Sequence, residues 1–382
     1  MAGTKASVAA LLLLPCAVLP GCGGKDGAGP LGPPDGQAAC GSGPVLTTLP
    51  VAIADIWTVA PLGTLNPPGH VFPSDHPGYY LKAPGGVPAV TPVRSPADVV
   101  IVRVGRQVSA GRTDYTIDFF PCANLHLWLG HIIALAPELQ AAVGSLEGNC
   151  VNLQGPSPIV ECSKDVALDR AEGSLFGNAG GPGEPGLDFG GVDDRVPPLA
   201  YINTDRLYGR YGRSGALHAI CPFDYFEAGL RSSMDSLWGE PGSRRTALPL
   251  CGRAMQDVPG TAQGRWFFPV AGDVQTDGPH LALVHRNTDP ARGAFSVGTS
   301  IPSLPVGVYY FPVEDTGRVN LDFDRVMPDA AIRCYVPNQP AGRVILIQLP
   351  SATELRIESR PGSACGDPAS WTLSGGAVTF SR

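Results

Sequence analysis

Residues 98–131 read DVVIVRVGRQVSAGRTDYTIDFFPCANLHLWLGH and contain three extended runs. Residues 98–108 are apolar over most of their length, as in a mostly buried strand. Residues 114–120 alternate, with Tyr115, Ile117 and Phe119 on one face. Residues 125–131 alternate as well: Leu125, Leu127 and Leu129 share parity with His131, and His126 points the other way. Three such runs in succession predict a β-sheet domain. A short helix follows, with Pro137 near its first turn and Leu139, Val143 and Leu146 on one stripe.

Further along, residues 224–238 fit a second helix. Asp224 and Glu227 make a capping-box pattern, Phe226, Leu230 and Leu237 form the stripe, and Gly239 ends it. Beyond it the chain reads as strands, at 265–270, 281–286, 306–312, 317–323, 343–349, 354–358 and 376–381. In 317–323, Val319, Leu321 and Phe323 alternate with Arg318, Asn320 and Asp322. The expected fold is mainly β with few short helices, without a fixed-period repeat. A first β-sheet domain spans 46–205, and a β-rich, sandwich or barrel-like domain spans 206–382.

The chain has 382 residues, with Gly 49 and Pro 40, which favours many turns and short strands. Hydrophobic residues at 43% supply real cores, and a net charge of −7 without a basic stripe argues against nucleic acid as a partner.

At the N-terminus, Lys5 precedes an apolar run from Ala6 to Leu14, which has the order of a secretory signal and is too short to span a bilayer. Leu19-Pro20-Gly21-Cys22 resembles the bacterial lipobox. That resemblance implies cleavage after residue 21 and a lipid on Cys22, so the chain is expected to be exported and anchored to a membrane of the cell envelope. Gly23 after the cysteine points to the outer membrane. Residues 22–45 read as a Gly/Pro-rich tether.

Ten cysteines occur. With Cys16 and Cys22 set aside, eight remain, an even number that suits up to four disulfides in an exported protein. None has C-x-x-C spacing. Cys150 with Cys162 and Cys334 with Cys365 are the expected pairs, from proximity in sequence.

Several chemistries are missing: there is no H-E-x-x-H, no G-x-S-x-G and no Walker lysine. Gly181-x-Gly183-x-x-Gly186 matches a dinucleotide pattern by letter, but Pro182 and Pro185 interrupt it. Of seven histidines, His70, His76, His126 and His131 lie close in sequence, and Asp75 adjoins His76. A His/Asp cluster in an exported chain is a zinc candidate; turn and surface positions in a Pro/Gly-rich hairpin are the plainer reading. His280 and His285 read as structural or surface residues. Trp266, Phe267, Tyr309, Tyr310 and Phe311 fit either a sugar-binding groove or an aromatic core.

Residues 63–195 resemble the lysostaphin/LytM-type zinc metallopeptidases, which are peptidoglycan endopeptidases. His76 opens a stretch like the family's H-x-x-x-D. Pro92–Asp98 resembles its turn into a strand, Leu129-Gly130-His131-Ile132 its "yaHl" strand end, and Glu172–Gly180 its "GxxIGxxG" turn. Gly186-Leu187-Asp188-Phe189 falls where "HLHF" stands. The resemblance implies an antiparallel β-sheet domain that holds zinc through His76 and Asp188, with His131 assisting catalysis. It departs from the family at Tyr80, in the position of the ligand Asp, and at Gly186, in the position of the first His of H-x-H. His70 or Asp75 would have to supply the third ligand. The expectation is therefore a degenerate domain that binds peptidoglycan or regulates a cell-wall hydrolase. An active zinc endopeptidase and a purely structural or carrier lipoprotein are the alternatives.

Overall fold

The computed structural model describes residues 31–83, 89–109, 111–148, 150–153, 159–182, 186–207, 212–269, 277–338 and 341–382. The leader, Cys22 and the start of the tether lie outside the described residues.

The first half builds one large sheet from β1 (Ile56–Ala60), β2 (Gly78–Leu81), β3 (Thr91–Arg94), β4 (Val99–Ser109), β5 (Arg112–Cys122), β6 (Leu125–Leu135), β7 (Cys150–Leu153), β8 (Ile159–Arg170), β9 (Leu175–Ala179) and β10 (Gly186–Asp193). Its order is β1-β2-β10-β6-β5-β4-β8-β7, with β9 joined to β3 and to the end of β6. Every pairing is antiparallel.

The apolar run of β4 and the alternation of β5 and β6 supply the core face. Ile101, Val104, Ile117, Phe119, Leu125, Leu127 and Leu129 are fully buried in one cluster with Leu187 and Phe189. Helix α1 (Pro137–Val143) has Pro137 in its first turn and buries Leu139 and Val143 in that cluster. Leu146, just past the helix, is buried too.

Helix α2 (Gly212–Leu217) is short. The helix expected over 224–238 is broken into a 3₁₀ turn, Pro222–Tyr225, and α3 (Ala228–Met234). The capping box does not form: Glu227 is the N-cap and its side chain accepts no capping bond. Phe223 and Phe226 are both drawn into the core against Phe189, and the backbone at Phe226 is extended. Extended backbone at Phe226 ends the first turn and keeps the two helical pieces apart.

The second half contains the hairpin β11 (Gly239–Glu240) and β12 (Ser243–Arg244), then two four-stranded sheets. One is β13 (Gly264–Trp266), β14 (Leu281–His285), β15 (Arg292–Val297) and β16 (Gly307–Pro312). The other is β17 (Ile332–Tyr335), β18 (Arg343–Ser351), β19 (Glu354–Pro361) and β20 (Val378–Ser381). Trp266, Leu283, Phe295 and Phe311 of the first meet Tyr335, Ile345, Ile357 and Phe380 of the second in one core, a β-sandwich.

Strands β15 and β17 were not read in the sequence, and residues 317–323 are not a strand. Asn320 has φ 52, in the left-handed region, which interrupts extended backbone. Val319 and Leu321 make only isolated bridges, and Phe323 opens a 3₁₀ turn. The packing also moves the division between the halves. The first core reaches Cys251 and the second begins at Ala262, so residues after 205 complete the first unit. The end of the tether is docked rather than free: Gln37 donates to the Phe120 carbonyl and Cys40 is bonded to Cys122.

Four disulfides form: Cys40–Cys122, Cys150–Cys162, Cys221–Cys251 and Cys334–Cys365. The outer face of β13–β16 packs Phe267, Ala282, Val284 and Ala294 on Phe72. That contact sets the second unit against the segment carrying His70, Asp75 and His76.

Candidate functional site

Sheet order brings the expected residues together. Strand β10 lies between β2 and β6, so Asp188 is flanked by Gly78 on one side and Gly130 on the other. Both neighbours lack the side chain that would crowd it. A Cβ at Gly78 would stand 3.2 Å from Asp188 Oδ1, and one at Gly130 3.5 Å from Asp188 Cβ. His76 sits just before β2, at the end of a folded-back loop. Ser74 Oγ accepts from Thr64 N and donates to the His76 carbonyl, and Phe72 N donates to Asp277 Oδ2.

His131 arrives by a different device. In the β5–β6 pair, Tyr115 faces Ile132 and Ile117 faces Leu129, so Gly130 and His131 together oppose the single residue Thr116. This is a β-bulge, and its extra residue has φ 63, a conformation uncommon for residues with a Cβ. The bulge reverses the parity read in the sequence. Leu125, Leu127 and Leu129 stay in the core, while His131 turns to the face that carries Trp128 and Gly130.

The result is a chain of alternating charge. His76 Nδ1 is 2.9 Å from Asp75 Oδ1 and its Nε2 is 3.5 Å from Asp188 Oδ2. His131 Nε2 is 3.1 Å from the same Asp188 oxygen, and its Nδ1 is 2.6 Å from Asp114 Oδ2. A histidine with a carboxylate on each nitrogen satisfies both only by donating from both, which makes it an imidazolium.

The electrostatics agree. Burial alone would lower the His76 pKa, but the Asp188 charge, hydrogen bonds to Asp188 and Asp75, and the Asp75 charge raise it to about 10. For His131, burial is likewise outweighed by the Asp188 charge and by bonds to Asp114 and Asp188, to about 11. Burial would raise the Asp188 carboxyl, but His131 and then His76 hold it well below its ordinary value. His70 lies edge-on to His76 at 5.3 Å between ring centres; burial, and then the His76 charge, lower its pKa.

The expected ligand set only partly assembles. Asp75 occupies the Nδ1 edge of His76, away from Asp188, so it orients the ring and cannot share a metal with Asp188 and His76 Nε2. Tyr80 is half-buried beside the site, and burial, aided by Glu240 and Asp188, raises its pKa, which makes it a poorer ligand still. Around a tetrahedral zinc, ligand atoms stand about 3.4 Å apart. The two histidine–Asp188 separations fit that spacing, but the third edge does not close. Among the described residues, only Glu147, Cys150 and Cys162 bring three candidate ligand atoms within 4.8 Å of one another. Those two cysteines are in a disulfide. As folded, the donor set does not fit a resident zinc.

The cluster lies on a cavity of about 460 Å³ that also meets Trp128, Arg265 and Asp277. A second cavity, about 430 Å³, shares Gln107 and Asp114 with it and runs to Gly180–Pro182. A third, about 620 Å³, shares His76, His131 and Asp188 and extends past Tyr80 and Gly186 to Glu240 and Tyr310. Together they form a trough with the charged cluster at its centre.

His126 is not part of it: it stacks on Phe120 at 4.6 Å, 3.5 Å from Asp118 Oδ1. His280 is buried, and His285 pairs with Asp322 at 3.0 Å. Trp266, Phe267, Tyr309 and Phe311 are core residues, and only Tyr310 of that set reaches the trough.

Sequence reading missed Asp114, Trp128, Arg265 and Asp277. The first two carried a signal, since Asp114 and Thr116 on one run and Trp128 and Gly130 on the next fall on the face opposite the core. Arg265 and Asp277 come from the second unit and carried none. No protein-family model, curated protein or solved structure matches the chain.

Proposed function

We propose that the chain is an exported, lipid-anchored envelope protein with a degenerate LytM-like domain, which binds peptidoglycan in its trough without cutting it. One observation carries this reading: each histidine of the central cluster is held by carboxylates at both nitrogens. An imidazolium offers no lone pair to a metal and no base to water at neutral pH, and a useful general base needs a pKa near the working pH. The trough still offers length, Trp128 as a flat apolar wall, and fixed charges. Four disulfides are consistent with an exported chain. The proposed partners are the cell wall itself or a hydrolase that works on it.

An active zinc endopeptidase is the second reading. It is favoured by the two histidine–Asp188 separations and by the carboxylates behind both imidazoles, an arrangement that orients metal ligands. It requires both imidazolium protons to leave and the third edge to contract.

Sedimentation with purified sacculi, together with zinc analysis of the same preparation, separates these readings. Co-sedimentation at a zinc content well below one per chain, with no muropeptides released, is the expected result. Stoichiometric zinc with release that EDTA abolishes would establish the second reading. Neither binding nor release would leave a structural or carrier role.

A further inference from the structure

We infer that Arg265 is the carboxylate-binding residue of the trough, receiving the free C-terminal carboxylate of a peptidoglycan stem peptide; the inference rests on the peptidoglycan reading above. Arg265 belongs to β13 of the second unit, yet it lines the central cavity beside Asp75 and His76. It is only 8% exposed. Its guanidinium is clamped between the Phe72 ring at 5.0 Å and the Tyr201 ring at 4.3 Å. Nη2 donates to Tyr201 Oη at 3.1 Å, and the backbone N–H donates to Asp257 Oδ1 at 3.0 Å. Nε has no acceptor, and among the described residues Nη1 has none either.

Buried arginines are ordinarily hydrogen-bonded throughout, because a buried N–H without an acceptor has lost its water and gained nothing. The charges of Asp257, Asp277 and Asp75 act on Arg265, but among the described residues no carboxylate side chain comes within ion-pair distance of its guanidinium. The group is thus charged, held between two rings, on the wall of the cavity and short of acceptors. A carboxylate supplies what is missing: a planar anion whose oxygens take charge-assisted hydrogen bonds from a guanidinium. The two aromatic rings fix the side chain beforehand, so little rotamer freedom is lost on binding.

Peptidoglycan stem peptides end in free carboxylates where they are not cross-linked, so Arg265 would direct the trough to uncross-linked stems. Calorimetric titration of the whole mature protein with a disaccharide-tetrapeptide muropeptide, and with the same compound as its C-terminal amide, tests this. The acid should bind about tenfold more tightly than the amide, and Arg265→Gln should remove that preference. Near-UV circular dichroism reports whether this variant folds. If it does not, Arg265→Lys decides, since an ammonium cannot hold the same place between the rings and the preference should fall severalfold. Equal affinity for acid and amide in a protein that still binds sacculi overturns the inference and leaves the peptidoglycan reading standing. An acid preference undiminished in a folded variant does the same. Failure to bind sacculi and both muropeptides overturns the reading and the inference together.

Discussion

His131 Nε2 lies 3.1 Å from Asp188 Oδ2 only because a bulge turns the histidine out of the face its parity assigns. Asp188 in turn binds two imidazoliums through one oxygen, which makes it the keystone of the charged cluster. Replacing it with Asn keeps the volume and removes the anion. Both Nε2 protons would then face a neutral amide, and like charges would remain close. The expected cost is about 1–3 kcal/mol of stability, below the 3–5 typical of a fully buried broken pair because the Asp188 side chain keeps 28% exposure. The His76 and His131 pKa values should fall together, as read from their imidazole proton resonances. Unchanged histidine titration in Asp188→Asn would refute the shared-anion geometry.

The backbone at His131 allows the bulge to be tested separately from the ion pairs. At φ 63 a residue with a Cβ pays about 1–2 kcal/mol that glycine does not. His131→Ala and His131→Gly lose the same ion pairs and differ chiefly in this strain. The Gly variant should be the more stable by about 1 kcal/mol, the reverse of the order found in regular strands and helices. Denaturant midpoints of the two variants measure it. An Ala variant as stable as the Gly variant would mean that the bulge relaxes once the imidazole is gone.

How much of this was legible follows from the range of each interaction. Strands β5 and β6 showed because one buried face imposes a period of two on the side chains, and β4 because its run is apolar over most of its length. The same rule misplaced His131, since a single inserted residue inverts every later parity and leaves no mark in composition. The meeting of His76 with Asp188 was visible only through the order of motifs across residues 63–195. Helix 224–238 satisfied its local pattern and still broke at Phe226, whose backbone is extended where its ring packs on Phe189 in the core. Arg265 could not be found from sequence at all: its place in the trough depends on the outer face of one sheet packing on Phe72.

The charged cluster also fixes the direction of pH dependence. In an unfolded chain histidine titrates near ~6.5, whereas His76 and His131 are raised to about 10 and about 11. The folded protein therefore holds these protons more tightly than the unfolded chain. Their stabilisation is complete below pH ~6.5 and is lost progressively as pH rises through the folded values. Asp188 and Asp75 are lowered, so their contribution is present above the ordinary carboxylate range near ~4 and is lost as pH falls through the folded values. The cluster should stabilise the fold most between about pH 4.5 and 6.5 and lose the histidine part as pH rises to about 11. Thermal unfolding at pH 5.5, 7, 8.5 and 10, comparing the natural chain with a His76→Gln, His131→Gln double variant, isolates this part from other alkaline titrations. The midpoint of the natural chain should fall more steeply above pH 7, and the two curves should converge by pH 10 to 11. Parallel curves across that range would show that neither histidine gains a proton on folding, and the imidazolium account of the site would fail with it.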